Sequence, residues 1–128
     1  MSDELQRGSG LIFVVDDEVL IQQTTKMILE ECGYDVLLAG TGNDAISIFK
    51  KHKNDILCTI LDISLPDMSG VEIYREIKKI DPALKVIVSS GRSKDSTVDK
   101  LLDAGVNVFL AKPFSVLELA DDVAQLIR

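Results

Sequence analysis

Four places in the chain set reactive side chains at the end of an apolar run. Leu11–Val15 leads directly into Asp16, Asp17 and Glu18, and C-T-I-L at 58–61 leads into Asp62 and the loop I-S-L-P-D-M-S-G. L-K-V-I-V-S-S at 84–90 ends in two hydroxyls, Ser89 and Ser90, before Gly91, and the run 106–111 meets Lys112-Pro113-Phe114. Carboxylates brought together repel: at ~5 Å and an effective dielectric of ~20, each pair costs about 3 kcal/mol. Such a group takes up protons or binds a cation. A few oxygen ligands, with room left for waters and phosphate, suit Mg²⁺ better than zinc or an all-protein calcium cage. Lys112 would offset part of the charge without metal and donate to an anion with it, and a Ser90 hydroxyl would donate to the same anion.

This chemistry requires elements that bring distant residues together. Leu11–Val15, Asp35–Ala39, 55–61, 84–90 and 106–111 read as strands. They are continuous runs of Val, Ile and Leu rather than alternating patterns, which suits a parallel sheet covered on both faces. Between them lie helical patterns. Over 18–32, Leu20, Ile21, Ile28 and Cys32 fall at helical spacing before Gly33 stops the helix. Thr41 with Asp44 forms a capping pattern ahead of Ala45, Ile48 and Phe49, and Lys50, Lys51, His52 and Lys53 suit a helix C-terminus. Ser69 with Glu72 caps a helix carrying Val71, Tyr74 and Ile77, with Pro82 just beyond its end. Val98, Leu101 and Leu102 mark a short helix stopping at Gly105. Ser115 with Glu118 opens a last one with Ala120, Val123, Ala124 and Ile127 inward.

Five strands alternating with five helices through right-handed crossovers give an α/β fold, a doubly wound five-stranded parallel sheet. One domain spans 11–128, after a polar, glycine-containing tail at 1–10. All strand C-termini share one edge of a parallel sheet, where open α/β sheets bind ligands. Asp16, Asp17, Asp62, Ser90 and Lys112 therefore converge without being neighbours in sequence.

Composition narrows the partners. Hydrophobic residues make up 46% of the 128 and charged residues 27%, as in globular proteins. Acids outnumber bases 21 to 14, a net charge of −7, which argues against direct nucleic-acid binding. The apolar runs are too short to span a bilayer and no signal segment opens the chain, so a soluble intracellular protein without membrane contact is expected. Cys32 and Cys58 lack metal-ligand spacing and read as buried thiols. Taken singly, the site residues have plainer readings: Asp16-Asp17 as a helix cap, Asp62 as a turn residue, Lys112 as an exposed lysine, and Phe109 and Phe114 as packing residues. His52 in K-K-H-K reads as solvated, and Ser89 as structural.

The whole constellation, in order, resembles the receiver domains of two-component response regulators, of the CheY-like superfamily, across about residues 10–128. The resemblance implies a flavodoxin-like (βα)5 fold with Asp62 as phosphoacceptor, charged by the phosphohistidine of a histidine kinase or histidine phosphotransfer domain. It implies Mg²⁺, with Mn²⁺ as a substitute, held by Asp16, Asp17, Asp62 and the Ser64 backbone carbonyl. Lys112 would bind a phosphoryl oxygen. The Ser90 hydroxyl, ahead of Gly91, would swing toward another. Phe109 takes the switch-aromatic place, where many relatives carry Tyr, and lacks the phenol oxygen. The Lys112–Pro113 bond is expected to be cis. Ser64 and Arg92 occupy positions that tune phosphoryl lifetime.

Such a domain catalyses only its own phosphorylation and dephosphorylation, in the cytoplasm. It signals through the fourth-helix, fifth-strand, fifth-helix face to an effector, to its own kinase module or through a phosphorylation-linked homodimer. Two architectures stand open: a single-domain regulator, since no effector domain follows Arg128, or the receiver of a hybrid sensor histidine kinase. Competing readings are weaker. An aspartate-nucleophile phosphatase places a second Asp two residues after the nucleophile, where this chain has Ser64, and the chain is short for a substrate cap. The Gly8-Ser9-Gly10 cluster precedes the first strand instead of following one, against a dinucleotide site. A non-phosphorylated receiver-like interaction module would not need the full set of acids and Lys112.

Overall fold

The computed structural model describes residues 8–91 and 96–127. Strands β1 (Leu11–Val15), β2 (Asp35–Ala39), β3 (Ile56–Asp62), β4 (Val86–Ser90) and β5 (Val108–Ala111) alternate with helices α1 (Val19–Glu31), α2 (Gly42–His52), α3 (Gly70–Ile80), α4 (Ser96–Asp103) and α5 (Val116–Ile127). The strands pair in parallel in the order β2-β1-β3-β4-β5. The doubly wound α/β sheet expected from the apolar runs is the fold observed. Alternation along each strand divides the interior in two. Phe13, Val15, Leu61 and Val88 pack with Ala45 and Phe49 of α2, Ile73 and Ile77 of α3, and Val98 and Leu101 of α4. Ile12, Val14, Ile60 and Ile87 pack on the other face with Leu29 of α1 and Leu119, Ala120 and Val123 of α5.

The local signals act where expected. Thr41 accepts from the Asp44 N–H at 3.1 Å and Ser69 from the Glu72 N–H at 3.2 Å. Ser115 and Glu118 make the full reciprocal box, at 3.0 and 3.1 Å. Both cysteines are buried, and burial pushes the Cys58 thiol up to about 12. Among the described residues no helix is long and apolar enough to cross a membrane.

Four boundaries and faces differ from the sequence reading. β3 runs one residue further, so Asp62 closes the strand instead of following it. β4 and β5 each start two residues later than the apolar runs, at Val86 and Val108. Before β4, the Leu84 N–H is held in a turn by the Asp81 carbonyl at 3.1 Å, and before β5 Asn107 bonds across to Val86. The Asn107 side-chain oxygen accepts from the Val86 N–H at 2.9 Å while its own N–H donates to the Val86 carbonyl at 3.2 Å, so a side chain replaces a ladder partner there. The buried line of α1 is Thr25, Leu29 and Cys32, whereas Leu20, expected inward, is 79% exposed. The first turn of α1 stands at the C-terminal rim of the sheet, where no strand lies beneath it. Residues 8–10, read as part of a tail, are tied down. The Gly8 N–H donates to the Cys32 carbonyl at 2.9 Å, and the Gly10 carbonyl accepts from the Asp35 N–H at 2.8 Å. The rest of that tail, 1–7, lies outside the described residues, as does Arg92.

The turn from β3 into α3 depends on Gly70. A Cβ there would lie 2.7 Å from the Ile63 Cα, a backbone atom that cannot yield without moving the strand end. Forcing atoms into such a place costs about 1–3 kcal/mol, and alanine's better helix propensity recovers at most ~1 kcal/mol. Gly70→Ala should therefore lower stability by up to about 2 kcal/mol once the propensity gain is subtracted, read as a lower urea midpoint at unchanged slope.

Candidate functional site

The strand order reverses between β1 and β3, and the crevice of a doubly wound sheet opens at that point. Val14 pairs with Ile60. Two residues further on, Asp16 and Asp62 continue the same face and stand side by side at the rim. Both are only 4% exposed. Asp62 pairs with Ser89 and Ser89 with Leu110, so Lys112, two residues beyond Leu110, rises from the same face two strands away. Its stem crosses the end of β4, and its ammonium donates to Asp16 Oδ2 at 2.7 Å and Asp62 Oδ2 at 3.1 Å. The second oxygen of each carboxylate is held by backbone: Asp16 Oδ1 accepts from the Glu18 N–H and Asp62 Oδ1 from the Ser64 N–H, both at 2.9 Å.

The acids form one group. Oxygens of Asp16, Asp17, Glu18 and Asp62 lie within 4.8 Å of one another, so each charged pair costs about 3 kcal/mol at an effective dielectric of ~20. Burial raises the Asp16 carboxyl above the usual carboxylate range; its bonds from Lys112 and the Glu18 N–H pull the other way without offsetting it. Burial by itself would lower the Lys112 ammonium, but its bond to Asp16 and the negative charges of Asp62 and Asp16 outweigh this and raise it. Both groups thus end above their ordinary values, Asp16 through burial and Lys112 through its carboxylate partners. A site made of carboxylate oxygens, two of them exposed at Asp17 and Glu18, has the hard donors and open side that suit Mg²⁺.

Glu18 joins this group, although the sequence reading did not include it among the metal ligands. Its place directly after Asp16-Asp17 was the available signal. Gln22 was also missed: its side-chain amide donates to the Asp16 carbonyl and, at 3.2 Å, to the Ala39 carbonyl, tying the β1 end to β2. No local pattern marks such a glutamine.

The remaining candidates lie around the rim. Ser90 is fully buried at the end of β4, and its carbonyl accepts from the Lys112 N–H at 2.8 Å. It follows Val88 on the α4 face, opposite to Asp62. Phe109, which pairs with Val88, is half-buried on that same face. Gly91 is exposed, with nothing within 4 Å of where a Cβ would stand. Ser89, beside Asp62, is 2% exposed, and its hydroxyl has no hydrogen-bond partner among the described residues. The Lys112–Pro113 bond is cis.

Lys112→Met would leave Asp16 and Asp62 buried without their shared cation. Breaking a buried pair from one side costs about 3–5 kcal/mol, so the metal-free variant should unfold at correspondingly lower urea, and millimolar Mg²⁺ should restore more stability to it than to the wild type. The raised lysine pKa gives the sign with pH. The Lys112 contribution is complete below the ordinary lysine value of ~10.4 and is lost as pH rises through the higher folded value. On the alkaline side, the gap between wild type and variant should therefore close only in strong alkali.

The family model for the response regulator receiver domain matches residues 12–124. Among curated relatives, the chemotaxis protein CheY of Thermotoga maritima is 36% identical over 104 residues, covering 80% of this chain and 85% of that protein. The transcriptional regulatory protein TrcR of Mycobacterium tuberculosis is 36% identical over 119 residues, covering 91% of this chain but 45% of the regulator, so the chain spans less than half of it. A response regulator receiver domain protein from Clostridium thermocellum superposes with a TM-score of 0.88 at 34% identity, over 92% of this chain and 94% of that one. In the CheX–CheY–BeF3–Mg complex from Borrelia burgdorferi, the matching chain gives 0.88 at 26% identity, over 93% and 90%. A family match across nearly the whole fold, with the acids and Lys112 gathered at its rim, means that this chain belongs to the response-regulator receiver domains.

Proposed function

We propose that the domain accepts a phosphoryl group on Asp62 from the phosphohistidine of a histidine kinase or histidine phosphotransfer domain, in a Mg²⁺-dependent reaction of a two-component phosphorelay. The observation that carries this reading is Asp62 Oδ2 held 3.1 Å from the Lys112 ammonium, beside the acids of the β1 end. In the transfer, an Asp62 oxygen forms the new P–O bond as the P–N bond to the donor imidazole breaks, and the imidazole, already protonated on its other ring nitrogen, takes the P–N electron pair and leaves neutral. Lys112, released from that oxygen, turns to a phosphoryl oxygen, and the Ser90 hydroxyl donates to another. The protein's share is positioning and charge neutralisation. Asp16, Asp17, Asp62 and the Ser64 carbonyl would hold the Mg²⁺, which supplies positive charge to the transferring group; Mn²⁺ would substitute. The domain acts on no outside substrate and catalyses only its own phosphorylation and dephosphorylation. That the Borrelia relative was captured with BeF3 and Mg²⁺ supports the reading.

The donor protein docks beside the acids. Val19 and Leu20, 68% and 79% exposed, adjoin an apolar groove of Ile21, Ile28, Pro113 and Phe114 that reaches Lys112. The output leaves by the β5 edge of the sheet, which α4 and α5 flank from its two faces. Ser90 and Phe109 share the face beneath α4, so phosphorylation shifts a pre-existing equilibrium of the α4–β5–α5 surface. An effector, the protein's own kinase module or a second copy reads that surface, in the cytoplasm. The net charge of −7 favours a protein reader over nucleic acid.

Incubation with Mg²⁺ and acetyl phosphate should add one phosphoryl mass to the intact protein and none to Asp62→Asn; equal labelling of the variant would remove Asp62 from the role. Leu20→Ser should label from acetyl phosphate at the wild-type rate yet slow transfer from a phosphorylated partner kinase by about tenfold, the effect of ~1.4 kcal/mol in docking. Equal slowing with both donors would place Leu20 in the fold and not in the interface.

A further inference from the structure

The β3–α3 loop, 63–69, carries the Ser64 N–H that holds Asp62; its Ile63 N–H still donates to the Ser89 carbonyl at 3.2 Å, and three further contacts fasten it. Ser64 pairs with Ser69 across its base, and the Gly70 N–H donates to the Ile63 carbonyl at 3.3 Å. The third fastening leaves the loop altogether. Asp67 reaches the N-terminus of α2, where its Oδ1 accepts from the Gly42 N–H at 2.7 Å and its Oδ2 from the Asn43 N–H at 3.0 Å. These two bonds hold its carboxyl below the usual range. Met68 packs alongside, and the fit favours a glycine: a Cβ on Gly42 would sit 2.8 Å from the Met68 Cβ, which cannot swing away as the end of the side chain can.

The helix does not depend on this arrangement for its own cap. Thr41 already accepts from Asp44, and the exposed Asn43 N–H lies at a helix end where water can satisfy it, whereas Gly42 is buried and its N–H is met by the Asp67 carboxylate. What the Asp67 bonds fix is the loop. Both carboxylate oxygens are used, so the loop is held in orientation as well as in place, with the positive end of the α2 dipole adding attraction. Three residues before Asp67 stands Ser64, whose N–H holds Asp62 Oδ1. We infer that Asp67 is a positioning residue for the Asp62 site: its clamp on α2 sets the Ser64 peptide, and through it the orientation of Asp62 and the carbonyl offered to the metal. The inference rests on the reading of Asp62 and Ser64 given above.

The test compares Asp67→Ala, Asp67→Asn and Thr41→Ala in the full chain. Thr41→Ala removes the cap of α2 and leaves the loop clamp, so it isolates a merely structural effect. In metal-free protein, amide exchange at Ser64 should accelerate in Asp67→Ala, change less in Asp67→Asn, and stay at the wild-type rate in Thr41→Ala. Loss of outer partners of metal ligands weakens affinity about 10–100-fold, and a clamp one step further out should cost about 3–10-fold in Mg²⁺ affinity, read by amide shifts in a Mg²⁺ titration. Unchanged Ser64 exchange in Asp67→Ala, or an equal acceleration in Thr41→Ala, would overturn the inference. Acetyl phosphate labelling of the wild type is scored apart: its failure would sink the phosphoacceptor reading, while the metal-free exchange would still decide the clamp.

Discussion

The rest of the site depends on one ammonium between two buried carboxylates. Asp16 and Asp62 are side by side because β1 and β3 are neighbours in the sheet, and without a cation the pair would repel by about 3 kcal/mol. Lys112 supplies that cation from two strands away, across the end of β4. The geometry has little tolerance. A slip of one residue in any of these strands would turn its side chain to the opposite face, since strand side chains alternate with a period of two. The register of the sheet and the charge balance of the site are therefore one condition. The two continuous cores that enforce the register are what hold the three residues within bonding distance.

The backbone completes this arrangement. Each buried carboxylate gives one oxygen to a main-chain N–H and the other to Lys112. Movement of the lysine would leave both carboxylates oriented, which is preorganisation in its ordinary sense: fixed dipoles that need not rearrange when charge arrives. Asp16 also shows that a plain role and a chemical one coexist. Its bond from the Glu18 N–H is a local turn bond just ahead of α1, while its other oxygen belongs to the site.

The architecture was legible because its signals are local. Apolar runs, Gly33 and Gly105 at helix ends, and three side-chain caps each act within a few residues, and the rule that parallel strands share a C-terminal edge carried Asp16, Asp62 and Lys112 together. What stayed hidden depends on partners far off in the chain. Asn107 accepts from Val86, 21 residues away, where the β4–β5 pairing begins, and Asp67 accepts from Gly42, 25 residues away. Neither residue differs in type from an ordinary loop residue. The exposure of Leu20 was hidden for a related reason: helical spacing says which residues share a face, but where the sheet beneath that face ends is a tertiary fact.

The two-sided interior has a consequence for how such a domain can change over time. Asp16, Asp62, Lys112 and the exposed turn of α1 belong to the α1–α5 side, whereas Ser90 and Phe109 belong to the side of α2, α3 and α4. Only the thickness of one sheet separates them, yet few side chains are common to both. Substitutions that refit one side can therefore accumulate without repacking the other, and the shared requirements shrink to the strand ends and a handful of glycines. A domain divided in this way is modular within a single fold: its two surfaces can diverge at different rates around a rim that stays the same.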